Sequence, residues 1–96
     1  MSSSTMRSIL SNERKCYICG SVRWLECHHI FGGPNRAKST KYGLVVYLCH
    51  HCHNEPPNGV HFNRKTMDWL RAKGQQAFIE HYPNEDFLKI FVRNYL

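Results

Sequence analysis

The sequence predicts a small α+β domain, a ββα unit on a four-cysteine zinc knuckle followed by two helices. Three observations lead there. Cys16-x-x-Cys19 and Cys49-x-x-Cys52 are two thiolate pairs set far apart. Strand-length apolar stretches run between them. After Asn63 the apolar residues recur at helical spacing. A chain of 96 residues is expected to form one domain. At that size it buries only roughly 60–65% of its unfolded surface, so a structural metal is the expected supplement to its core.

The elements follow in order. Residues 1–15 read as a flexible arm, Ser-rich at its start, with one helical turn near residues 6–10. Cys16-Tyr17-Ile18-Cys19 is a tight turn, and Gly20 suits the positive φ that such knuckles need. Residues 22–31 (VRWLECHHIF) alternate and read as a strand, with Cys27 as a small buried hydrophobe on it. Residues 32–41 (GGPNRAKSTK) open with Gly32, Gly33, Pro34 and Asn35, and read as a loop carrying Arg36, Lys38 and Lys41. Residues 44–48 (LVVYL), β-branched and bounded by Gly43, are the second strand. Cys49 to Asn54 are the first turns of a short helix, stopped by Pro56-Pro57 and Asn58-Gly59. Together residues 16–63 make the expected zinc-supported ββα core.

Residues 64–96 are the expected helical part of the same domain. Asn63 is placed to cap a helix over about residues 64–81, with Met67, Leu70, Ala77 and Phe78 on one face. Gly74 weakens that helix, and Pro83 ends it. Asn84 is expected to start another, with Glu85 and Asp86 in its first turn. Phe87, Leu88, Ile90, Phe91, Val92 and Tyr95 make this last helix a core element.

Composition narrows the function. The formal charge of +6 comes from 13 Lys+Arg against 7 Asp+Glu. A basic surface of this kind attracts polyanions and holds them by counterion release, so nucleic acid is the expected partner. The five cysteines do not read as a disulfide framework: the count is odd, four lie in C-x-x-C pairs, and residues 1–15 lack a signal peptide's apolar stretch. Reduced, metal-bound thiols in a cytoplasm-like compartment are expected. No stretch is long and apolar enough for a membrane span. Gly32-Gly33 has the spacing of neither a Walker loop nor a dinucleotide fingerprint.

Cys16, Cys19, Cys49 and Cys52 supply the four soft ligands that tetrahedral zinc prefers. The 29 residues between Cys19 and Cys49 exceed what a minimal zinc ribbon needs, so something is inserted there. It is the His28-His29 strand and the basic segment. Neighbours on a strand point to opposite faces, so His28 and His29 are expected to divide labour at the strand end, one binding metal and one facing an attacking water. Phosphodiester hydrolysis needs both: a metal that stabilises charge, and a base of near-neutral pKa. His53 is fixed by the knuckle it follows. His61, beyond the Pro56–Gly59 turn, is placed to return to the same centre. His50 and His51, inside the second pair, read as surface residues.

C-x-x-C, a strand ending in His28-His29-Ile30, Gly43-Leu44 opening a second strand, and C-x-x-C-His53 together resemble the HNH endonucleases with their ββα-metal core. The match covers about residues 16–63, roughly half the chain. It implies His28 as a metal ligand, His29 as the general base and His53 as a further ligand. It also implies DNA as substrate, with 3′-hydroxyl and 5′-phosphate products. Two positions depart from the family pattern. Gly43 stands where a loop-orienting Asn is usual, and His28 where Asp is frequent. The all-imidazole set resembles the colicin DNase branch and favours transition metals, so Mn²⁺, Ni²⁺, Co²⁺ or Zn²⁺ is expected beside Mg²⁺ as the catalytic ion. Asn35, Arg36, Lys38 and Lys41 are expected at DNA phosphates. Stand-alone proteins of this size in phage genomes suggest such a source by analogy. Two other readings stand beside the nuclease. A non-catalytic zinc module explains the cysteines and the charge but leaves the histidines without a role. A DNase toxin would bring a delivery domain or an immunity partner.

Overall fold

The computed structural model describes residues 8–57 and 59–96. Its elements are strand β1 (Leu25–His29), a 3₁₀ turn (Gly33–Asn35), helix α1 (Arg36–Lys41), strand β2 (Val45–Cys49) and helices α2 (His50–Asn54), α3 (Arg64–His81) and α4 (Phe87–Phe91). The architecture is mixed α and β, with one two-stranded antiparallel sheet and a cluster of four cysteines.

β1 and β2 pair with Leu25 opposite Cys49 and His29 opposite Val45. One end of the hairpin therefore carries a zinc-type ligand, and the other carries His28 and His29. β1 is shorter than the predicted 22–31. Trp24 has φ 50°, a left-handed conformation that breaks the extended backbone before Leu25. The predicted loop at 32–41 is largely helical. Pro34 sets the first turn, and no Gly or Pro interrupts the six residues of α1. Ser39, fully buried, locks this helix to the sheet. Its hydroxyl accepts from Phe31 N–H (3.2 Å) and donates to the Leu44 carbonyl (2.5 Å).

α3 spans the predicted range, and the Asn63 side chain accepts from Thr66 N–H at 3.2 Å as its cap. Gly74 has a packing reason. A Cβ there would come within 3.0 Å of Ile30 Cγ2 and 3.2 Å of Phe31 Cε2, so its absence lets α3 lie against the chain just after β1. α4 starts later than predicted. Asp86, not Asn84, caps it by accepting from Lys89 N–H, and Val92 at φ 61° ends it. Tyr95 lies beyond the helix and Val92 is exposed.

The core lies between the hairpin and the two C-terminal helices. Ile30, Leu44, Leu48, Leu70 and Phe78 are essentially inaccessible. Phe31 is its hub, with ring centroids 4.9 Å from Phe91, 5.0 Å from Tyr95 and 5.5 Å from Phe87. Each such buried phenyl contributes about 1.5–3 kcal/mol. Gln75 ties down the last residues, donating to Asn94 and accepting from Tyr95 N–H.

Of the expected arm, residues 1–7 lie outside the described residues, as does Asn58 of the turn. Ser8–Leu10 form no helix. Ser8 is buried, and Ile9 N–H donates to the Gly43 carbonyl at 2.9 Å, so this part of the arm is docked. Among the described residues no helix is long and apolar enough to cross a membrane.

Candidate metal centres

The sulfurs of Cys16, Cys19, Cys49 and Cys52 lie within 4.8 Å of one another. Cys16 N–H donates to the Ser21 carbonyl, and Gly20 N–H to the Cys16 carbonyl, which closes the first knuckle. Gly20 adopts φ 81°, a conformation that favours glycine. Cys19 Sγ and Cys49 Sγ are 3.6 Å apart. Tetrahedral zinc with bonds of 2.3 Å separates its sulfurs by about 3.8 Å, so the donor set fits zinc. Burial raises the Cys16 thiol, but backbone hydrogen bonds from Cys19, Cys49 and Ile18 outweigh it and bring the pKa down to about 6. Burial, reinforced by hydrogen bonds among the sulfurs, pushes Cys52 strongly up. Without a cation, burial thus opposes ionisation of the Cys49 and Cys52 thiols. A divalent ion reverses that by replacing the protons.

The second cluster is His28, His53 and His61, whose ligating nitrogens also lie within 4.8 Å of one another. His53 Nε2 and His61 Nε2 are 3.0 Å apart. Their rings are 5.0 and 5.3 Å from that of His28, centroid to centroid. His28 is only 3% exposed, and its Nε2 is buried with no hydrogen-bond partner among the described residues. An orphaned imidazole nitrogen is costly to bury, and a cation between the three rings removes that cost. Burial, then the neighbouring charges of His53 and His61, hold His28 down at about 3, so it stays a neutral donor. Tetrahedral imidazole ligands at 2.0–2.1 Å put nitrogens about 3.3 Å apart, which the His53–His61 pair approaches.

His61 reaches the cluster through the backbone. Val60 N–H donates to the Cys52 carbonyl at 2.7 Å, and His61 N–H to the His53 carbonyl at 3.4 Å. Val60 is buried and anchors this return.

Glu26 orients His53. His53 Nδ1–H donates to Glu26 Oε1 at 2.7 Å, which leaves Nε2 facing His61. Asn54 Nδ2 also donates to Oε1, and His50 Nδ1 to Oε2. These bonds, that of His53 first, lower the Glu26 carboxyl below its usual range. A carboxylate–histidine pair of this kind fixes a ligand's tautomer. Sequence reasoning did not single out Glu26. Its signal was the i, i+2 spacing to His28, which puts both on one face of a strand.

The cluster opens onto a cleft of about 290 Å³ lined also by His29 and Arg36. Burial first, then Arg36, lowers the His29 pKa from 6.5. The other predicted phosphate contacts scatter. Lys38 Nζ donates to the Ile90 carbonyl at 2.7 Å, a helix–helix tie rather than a free cation. Lys41 lies over the Tyr42 ring and away from this cleft. Asn35 sits in the 3₁₀ turn, its N–H bonded to Gly32. Cys27, expected to be buried, is exposed. It stands on β1 opposite Tyr47 and lines the same cleft as His29 and Arg36. His50 and His51 are exposed, paired with Glu26 and Glu55. No family model matches the sequence, and no curated protein or solved structure matches the chain, so the two side-chain clusters carry the functional reading by themselves.

Proposed function

We propose that this protein is a metal-dependent endonuclease of the HNH type that hydrolyses DNA phosphodiester bonds. The observation that carries the reading is the trihistidine cluster, opening onto a cleft that His29 shares, beside a separate four-cysteine cluster. The cysteines would hold a structural zinc, and His28, His53 and His61 one divalent ion. When bound, that ion supplies positive charge against the scissile phosphate and the leaving 3′ oxygen.

The chain's own residues do the rest. His29, kept unprotonated at neutral pH, accepts a proton from the attacking water. Glu26 holds His53 in the tautomer that presents Nε2 to the ion. Arg36, at the rim of the cleft, is placed for a flanking phosphate. Reduced cysteines and a basic surface fit DNA work in a cytoplasm, with a phage origin by analogy.

Supercoiled-plasmid nicking across Mn²⁺, Ni²⁺, Co²⁺, Zn²⁺ and Mg²⁺ tests the reading. His29→Ala is expected to slow nicking by about 10²–10⁴-fold. The wild-type rate is expected to rise with pH through a value below 6.5 and then level, because only neutral His29 accepts a proton. Equal rates in the two proteins would sink the mechanism. One tightly held zinc with no second, chelator-labile metal would favour a non-catalytic zinc module instead.

A further inference from the structure

We infer that Arg71, on α3 and outside the ββα unit, is a substrate-contacting residue that binds the scissile phosphate together with the trihistidine cluster. This rests on the nuclease reading and extends it to a residue that no motif marks. Arg71 lines a cleft with His28, His29, Gly32, Gly33, His61 and Met67. Its Nε is buried with no hydrogen-bond partner among the described residues. Nor does it make an ion pair there. Asp68, one turn earlier, is taken by Arg64 at 3.2 Å. The contact that steadies the guanidinium is the Tyr95 ring, with Cζ 5.7 Å from its centroid.

A guanidinium held partly out of water without an acceptor is unfavourable. Here it shares the cleft with His28 and His61, where a cation would be a second positive group. The carboxylate bonded to the cluster, Glu26, lies behind His53 on its Nδ1 side and does not line the cleft. Two positive groups facing one another across a cleft call for an anion from outside. Guanidinium is suited to a phosphodiester, whose two non-bridging oxygens match its paired N–H groups. A phosphodiester in this cleft would meet the Arg71 guanidinium on one side, and the ion that His28, His53 and His61 would hold would supply charge on the other, with His29 lining the same cleft.

The test uses binding rather than turnover. In a His29→Ala background, which slows nicking, a labelled duplex oligonucleotide is titrated by fluorescence anisotropy with Mn²⁺ over a salt series. Arg71→Met keeps the packed stem and removes the charge. It is expected to weaken binding about 10- to 100-fold. It should also reduce the slope of log K against log salt by about 0.9, one phosphate contact. Zinc content and helical circular dichroism should be unchanged. Arg71→Lys should keep the slope yet bind more weakly, because a point charge replaces a fork. Should Arg71→Met lose its fold, Arg71→Gln carries the same reading. An unchanged slope in the neutral variants overturns the assignment of Arg71 and leaves the nuclease reading standing. A parent protein that binds no duplex at all overturns both.

Discussion

Glu26 acts on the histidine cluster from behind, through the single 2.7 Å bond to His53. Removing its charge while keeping its shape isolates that action. Glu26→Gln can still accept from Nδ1–H, but it no longer strengthens the imidazole as a donor. Affinity of the histidine site for Co²⁺ or Mn²⁺ is expected to fall about 10- to 100-fold, with cysteine-bound zinc unaffected. Calorimetric titration of zinc-loaded protein measures it, and unchanged affinity would leave Glu26 a surface residue. At this scale legibility followed motif. The cysteines were readable from spacing, and His28, His29 and His53 from adjacency to strand and knuckle. Glu26 and Arg71 were not, because Glu26 is placed by the helix it meets and Arg71 by an 18-residue helix returning from elsewhere in the chain.

Among the elements, the short return from α2 to residue 61 does the most for the site. Its weak point is Gly59. A Cβ there would meet Glu55 N at 2.7 Å, Glu55 O at 2.9 Å and His53 O at 3.0 Å, all backbone atoms that cannot swing aside. Gly59→Ala is therefore expected to destabilise the protein by about 1–3 kcal/mol. It should displace His61, so the second metal is lost before the first. Urea unfolding with metal analysis after dialysis checks both parts, and full retention of two metals would show that the turn tolerates the methyl. The prolines announced this turn, but periodicity cannot express that its backbone pairs with Cys52 and His53. α1 went unseen for a related reason. Its leading glycines and proline read as loop, while the buried Ser39 hydroxyl that fastens the helix to the sheet carries no local signature. α3 and its Asn63 cap were legible because helical spacing and capping are local properties.

At the scale of the whole molecule, two ligand clusters and an aromatic core share 96 residues. They meet at one peptide bond, because Cys52 belongs to the first cluster and His53 to the second. The carbonyls of both residues also receive the turn segment that brings His61. An ion on the sulfurs therefore restrains the backbone that presents two of the three imidazoles. Linkage makes such help mutual: whatever factor zinc adds to the affinity of the histidine site, the second ion must return to zinc. Occupancy of the histidine site with Mn²⁺ is expected to strengthen zinc retention against a chromophoric chelator, by about 5-fold or more. His53→Ala should abolish the effect. Equal zinc retention with and without Mn²⁺ would mean that the shared peptide transmits nothing. With coupling, the two sites are protected as a unit: scarcity of the ion at the histidines loosens the one at the cysteines, so a chain starved of either is also the less stable protein.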